Sequence, residues 1–235
     1  DKNNEPLPLA SQDAAEILVE ADPKWCPEGV LPNSASCSAN FPTIADLLAD
    51  MQANPGFYSR NGVIYFVRTP AFTSSFVFDD STGSLGAAYE TLKAFNLTLT
   101  GGWAGGTSTN LNSRTLFSGS SSFIQVGTNS NPWSGNVTLN NFQIGTSTSG
   151  VSTNNSLTVY TSSGDITLNN VDVWQQEGNY YTAYLQSDSG DISVGPSLNP
   201  VSSPNSVFDG NNASTKQNKG FSATTSTGTI SITGA

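Results

Sequence analysis

The sequence predicts an all-β fold, a β-solenoid, and three observations carry that expectation. The first is Leu157 to Val173, LTVYTSSGDITLNNVDV, in which Leu157 with Val159, Ile166 with Leu168 and Val171 with Val173 alternate with polar neighbours. Such alternation is the period-two signature of short, half-buried strands. The second is what separates the couplets: Ser162-Ser163-Gly164-Asp165 and Asn169-Asn170, residue types that tolerate left-handed backbone or bond locally and so turn the chain sharply. The third is recurrence. Tyr184 to Val194, Ser222 to Ile232 and, with a longer corner, Phe123 to Ile144 follow the same template, so that Val137, Ile166 and Ile192 stand 29 and 26 residues apart and Ile230 follows after 38. A period of this size with one apolar side per couplet is what stacked repeats need, because no single repeat can bury its inward face alone.

The elements follow in order. Residues 1 to 22 form an N-terminal extension, polar and Pro-containing at first, with one apolar run, Ile17-Leu18-Val19. Residues 23 to 56 hold a Pro/Gly/Ser-rich loop, in which Trp25 is expected to pack against Cys26, and then one helix over Thr43 to Asn54. There Ile44, Leu47, Leu48 and Met51 recur at i, i+3, i+4 and i+7, and Pro55-Gly56 ends the pattern. Residues 57 to 235 are expected to carry the strands, opening with Val63 to Val67 and Phe76 to Phe78. Leu97 to Thr100 then precedes a long turn marked by Gly101-Gly102 and Gly105-Gly106 around Trp103. Leu198 to Lys219 is the insertion that lengthens the last interval, within which Val207-Phe208-Asp209-Gly210-Asn211 restores the third strand supplied elsewhere by Phe142 and Val171. Ile230 and Ile232 match the middle strand of the repeat, but Gly234-Ala235 stands where a corner and third strand should follow. Either the chain is a fragment of a longer array, or something else completes that end.

The GDITLNNVDV repeat (residues 164 to 173), together with Gly62-Val63-Ile64-Tyr65 after the helix and Leu97-Thr98-Leu99-Thr100-Gly101-Gly102-Trp103, resembles the right-handed parallel β-helix proteins of the pectin-lyase-like superfamily. Within it the chain is most similar to the Ser/Thr/Asn-rich repeats of large bacterial surface and adhesin-like proteins. The resemblance covers roughly residues 43 to 235. It implies a right-handed parallel β-helix with a short N-terminal capping helix and an extended N-terminal tail. Many relatives in that superfamily are polysaccharide lyases or hydrolases.

Composition narrows the function. The net charge is −10 with no histidine, and Thr115 through Thr215 contains neither Lys nor Arg. Nucleic acids and anionic membrane surfaces need clustered positive charge, so neither is an expected partner. No stretch approaches the roughly 18 to 20 apolar residues that span a bilayer. Without His, Ser-His and Cys-His nucleophile systems are excluded. Cys26 and Cys37 have no further Cys or His to complete a metal site, so a disulfide is expected over two free thiols, and with it an oxidising, extracytoplasmic compartment. Asp1 then reads as the residue following a removed leader.

The candidate site residues are few. Asp165 and Asp191 occupy the same corner of successive copies, with Asp188 nearby. An Asx-type corner bonding its own backbone is the preferred reading, favoured by Thr229 in the equivalent place of the last copy, and calcium held by these three acids competes with it. Trp133, Trp174, Tyr180, Tyr181 and Tyr184 fall in or beside corners, where rings either cover an edge or subunit contact or stack on sugar faces. Asn96, Asn136, Asn154 and Asn212 head N-x-Ser/Thr sequons. The resulting expectation is a secreted, non-enzymatic structural or adhesive surface protein without a cofactor. In it the run Glu16, Ile17, Leu18, Val19, or the capped end of one subunit, docks on the Ile230 and Ile232 end of the next to give a head-to-tail filament. The alternative is a protein that binds or cleaves an extracellular polysaccharide, with a cell-surface glycan as partner.

Overall fold

The computed structural model describes residues 23–111, 113–118, 121–146, 154–174, 180–195, 207–209 and 220–233. The run Glu16 to Val19, the sequon at Asn212 and most of the expected insertion lie outside them. Fourteen strands are found among the described residues: β1 (Lys24–Pro27), β2 (Gly62–Val67), β3 (Phe76–Phe78), β4 (Leu97–Trp103), β5 (Thr115–Phe117), β6 (Ile124–Val126), β7 (Val137–Ile144), β8 (Leu157–Thr161), β9 (Ile166–Trp174), β10 (Ala183–Ser187), β11 (Ile192–Gly195), β12 (Val207–Asp209), β13 (Phe221–Thr225) and β14 (Ile230–Ile232). Helices α1 (Ile44–Ala53), α2 (Pro55–Tyr58) and α3 (Tyr89–Leu92, preceded by a 3-10 turn at Gly86–Ala88) accompany them.

Helix α1 is where the apolar spacing puts it, and Ile44, Leu47, Leu48 and Met51 are its buried face. Thr43 caps it: its hydroxyl accepts from the Asp46 N–H at 3.1 Å and donates to the Asp46 carboxylate at 2.7 Å, satisfying one of the donors a helix start leaves open. Pro55 starts α2, where its missing N–H costs nothing.

One sheet runs β1-β2-β4-β7-β9-β11-β14, with β5 beside β7 and β12 beside β9; the other runs β13-β10-β8-β6-β3. Every pairing is parallel except β1 with β2. Val137, Ile166, Ile192 and Ile230, spaced unequally in the chain, are direct neighbours in the first sheet. Ile124, Leu157, Ala183 and Phe221 align likewise in the second. Phe208 in β12 pairs with Val173 rather than Val171, so the expected third strand is present but two residues further along β9.

The expected all-β right-handed parallel β-helix is corrected by this architecture. The fold is mixed α/β: an antiparallel strand opens the first sheet, helices pack beside the strands, and the two sheets form no solenoid. Parallel pairing alone does not make one. Alternation in the sequence reports which residues share a face, but it says nothing about how the segments are joined and closed, and that is where the expectation went too far.

Two further expectations change locally. Gly101, Gly102 and Trp103 belong to β4 rather than to a turn. A Cβ on Gly101 would lie 2.2 Å from the Asn141 carbonyl oxygen, so these glycines permit close backbone approach. The Asn169-Asn170 corner lies inside one strand: Asn141 in β7 and Asn170 in β9 have φ of 62° and 55°. Asn tolerates this left-handed region, and the extra residue returns Phe142, Ile144, Val171 and Val173 to the side already occupied by Val137, Leu139, Ile166 and Leu168. The paired side chains are tied by hydrogen bonds, Asn169 Nδ2–H donating to Asn140 Oδ1 and Asn170 Nδ2–H to Asn141 Oδ1, each 2.9 Å.

The main core gathers residues of both sheets with α1 and α3, and its centre is aromatic: Phe66 meets Phe72, Phe76, Phe117 and Phe142 with centroids 5.4 to 6.0 Å apart. Strand β2 is buried on both faces. Ile64 and Phe66 face the main core, while Val63, Tyr65 and Val67 meet Cys26 and Trp103 in a second cluster. The Cys26–Cys37 disulfide lies on this second side. Trp25 does not pack there. As a strand neighbour of Cys26 it points the other way, edge-on to Tyr58 with centroids 5.1 Å apart.

Candidate functional site: an acceptor ladder, a tyrosine face and an open edge

Three features could carry function. The first contains the acidic corner. Asn61 Oδ1 accepts from the Asn96 N–H (2.9 Å), Asn96 Oδ1 from Asn136 (3.1 Å), Asn136 Oδ1 from Asp165 (2.9 Å), Asp165 Oδ1 from Asp191 (2.8 Å) and Asp191 Oδ1 from Thr229 (2.6 Å). The side chain at this corner bonds the backbone of the following segment, not its own, and so sets the register between segments. Asp188 stands outside the ladder; its N–H donates to the Thr161 carbonyl at 3.0 Å. Among the described residues no group of three or more His, Cys, Asp or Glu side chains is placed to hold a metal ion. The ladder also occupies the oxygens of two sequon residues, Asn96 and Asn136.

Beside the ladder runs a column of glycines. A Cβ on Gly164 would lie 1.9 Å from the Gly135 carbonyl oxygen, and one on Gly190 or Gly228 would lie 2.2 Å from the preceding member's. At Gly164, Gly190 and Gly228 the hydroxyl three residues upstream closes the corner: Thr161 donates to the Gly164 carbonyl (2.7 Å), while the Gly190 N–H donates to Ser187 Oγ (2.8 Å) and the Gly228 N–H to Thr225 Oγ1 (3.1 Å). Ser187 and Thr225 in turn donate to the carbonyl of the preceding glycine, Gly164 (3.1 Å) and Gly190 (3.0 Å). Gly, Ser/Thr and Asx therefore recur at fixed offsets, with Thr229 at the Asx position of the last member.

The second feature is aromatic. Trp133 must be removed from the expected ligand contacts. It is buried in the core against Phe78 and Tyr89, its indole N–H donating to the Phe95 carbonyl at 2.8 Å. Trp174 is half-buried, with its indole nitrogen enclosed and unpartnered among the described residues. The tyrosines do assemble: Tyr181 and Tyr184 have centroids 5.0 Å apart, Tyr160 and Tyr184 5.5 Å, and Tyr180 is exposed beside them. Tyr184 donates to Gln186 Oε1 at 3.0 Å, and the Gln186 amide reaches Asn129 Oδ1 at 3.3 Å. Burial, and then the neighbouring Tyr184, raise the Tyr160 phenol pKa above its ordinary value. Tyr160 and Gln186 were missed from the sequence, although the signal was present. Tyr184 pairs with Thr158 and Gln186 with Tyr160 across β8 and β10, which makes Tyr160 and Tyr184 diagonal neighbours on one face.

The third feature is the end formed by β13 and β14, the last strands of the two sheets. Val137, Ile166 and Ile192 are 0 % exposed, as are Leu139, Leu168 and Val194, whereas Ile230 and Ile232, in the same columns, are 42 % and 51 % exposed. Exposed Leu31 and Phe57 belong to the other end, following β1 and within α2.

No family model matches the chain, and no curated protein or solved structure is similar to it. The likeness to pectin-lyase-like proteins therefore rests on the residues of its motifs alone.

Proposed function

We propose that this is a secreted, non-enzymatic structural or adhesive protein that assembles head to tail. The observation that carries the reading is the exposure of Ile230 and Ile232, in columns whose earlier members are wholly buried. An exposed strand edge carrying apolar side chains is a template for further strand contacts, and proteins normally cover it. The surfaces at the two ends differ, so the contact is heterologous and repetition extends it into a filament. The disulfide supports an oxidising compartment. Light scattering after size-exclusion chromatography, with electron microscopy, tests the assembly across a concentration series. The full chain is expected to grow with concentration, and Ile230→Lys with Ile232→Lys to stay monomeric while keeping the native circular dichroism spectrum. A full chain that is monomeric throughout, or a double variant that assembles equally well, overturns it.

A second reading is favoured by the contact of Tyr160, Tyr181 and Tyr184: a glycan-binding surface, in which sugar rings lie on phenol faces and the Gln186 side-chain amide offers hydrogen bonds. Glycan binding lost in Tyr184→Ala supports it. Release of reducing ends or unsaturated products from polysaccharides would instead make the protein an enzyme.

A further inference from the structure

Between the disulfide loop and the end of α1 lies a groove of about 410 Å³, within the range of small-ligand sites. Its walls are Phe41, Phe57 and Tyr58, its polar groups Asp50 and Asn54, and its rim the Cys37 to Ala39 stretch. Phe57 is 42 % exposed and stands edge-on to Tyr58, with centroids 5.0 Å apart. No Lys or Arg lines the groove, and among the described residues none forms an ion pair with Asp50.

Three independent sources of negative potential converge there. Asp50 is a carboxylate. It sits in the last turn of α1, where the helix carries its partial negative charge and where no basic residue offsets it. The aromatic faces add their negative quadrupoles. The carboxylate is already held in place, Oδ1 by the Asn54 side-chain N–H at 2.8 Å and Oδ2 by the Tyr58 hydroxyl. An ionised carboxylate has about four lone-pair sites, so acceptor capacity remains, and the Asn54 side-chain oxygen adds more. A hard divalent ion wants six or more oxygens, which these apolar walls do not supply. The complement to one carboxylate, one amide oxygen and ring faces is an alkylammonium group. Because the polar groups are acceptors, the fit is better for a primary ammonium with its three donors than for a quaternary one, which has none.

We infer that this groove binds the side chain of a lysine presented by a partner polypeptide, with the ammonium on Asp50 and Asn54 and the methylenes against Phe41 and Phe57. The inference is independent of head-to-tail assembly, since it concerns a different surface and a soluble probe can test it. The full-length chain would be titrated with N-α-acetyl-lysine methylamide, with its neutral isostere N-α-acetyl-norleucine methylamide and with choline, using saturation-transfer NMR and calorimetry. The lysine probe is expected to bind in the millimolar range and to weaken as salt rises. Asp50→Asn should lose affinity by about tenfold or more, because a hydrogen bond to a charged group is worth roughly 1.5–3 kcal/mol. Phe57→Leu, at an exposed position, should lose several-fold, and it decides the matter if Asp50→Asn does not fold. Equal binding of the norleucine probe overturns recognition of the ammonium. Equal binding of choline overturns the choice of lysine, and no binding of the lysine probe at millimolar concentration overturns the site.

Discussion

The two ends of this molecule are built from the same strand chemistry and finished differently. At the first, β2 would present a free edge, but β1 lies antiparallel along it, and the disulfide loop covers its outer side. The edge of β3 is met by the Ser84 hydroxyl, which donates to the Val77 carbonyl, and by the Leu85 N–H on the Asp79 carbonyl at 3.1 Å. At the other end, Ile230 and Ile232 continue two buried columns into solvent. The comparison teaches that the repeat specifies its own stacking, while the cover over an edge comes from other residues. Register comes from the ladder and the glycine column, which recur, whereas the covered end is closed by β1, the disulfide loop and the turn from Asp79 to Leu85, none of which contributes to the ladder.

The largest effect should come from breaking the column itself. Gly164→Ala puts a Cβ where the Gly135 carbonyl already sits, 1.9 Å away, and backbone on both sides leaves nothing to yield. A loss of at least about 4 kcal/mol, or failure to fold, is expected. Gly56→Ala, in α2 with no atom within 4 Å of the new Cβ, should be neutral or slightly stabilising. Equal effects in chemical denaturation would show that the close approach is not the constraint.

The apolar columns sharpen the contrast between the ends. Ile166→Ala removes a wholly buried side chain and should cost about 2–5 kcal/mol, whereas Ile230→Ala in the isolated chain should cost under about 1 kcal/mol. If assembly covers Ile230, the two values should converge as protein concentration rises, and urea unfolding at low and high concentration reads this directly.

The closed end depends on its covalent staple. Replacing both Cys26 and Cys37 by Ser should lower stability by about 3 kcal/mol in the chain-entropy account, measurable as a shift in the urea midpoint. A shift below about 1 kcal/mol would mean that β1 holds the edge without it.

A smaller effect, confined to alkali, concerns Tyr58. Burial, and then the hydrogen bond and charge of Asp50, push its phenol pKa well above the usual value of 10.0. The folded chain therefore retains a proton that the unfolded chain releases, so this contribution is complete below pH 10 and declines as pH rises beyond it. Tyr58→Phe should flatten the fall in stability above pH 10, and an unchanged slope would contradict the shift.

By itself the sequence determined what depends on neighbours in the chain. It placed α1 through a 3.6-residue spacing, the apolar couplets through alternation, and the alignment of Val137, Ile166, Ile192 and Ile230 through recurrence, while the disulfide followed from two cysteines without other partners. Tertiary structure decided the rest. Lys24–Pro27 reads as loop, and only the free edge of β2 makes it a strand. Trp133 has the sequence context of a corner, and the space between Phe78 and Tyr89 draws it inward. Asp165 and Asp191 look like self-bonding turns, but the nearest unsatisfied N–H belongs to the next segment. Asp50 and Phe57 carry no motif at all, and they form a groove because α1, α2 and the disulfide loop meet there. Period and propensity act over a few residues, whereas edges, voids and spare acceptors exist only once distant segments have packed.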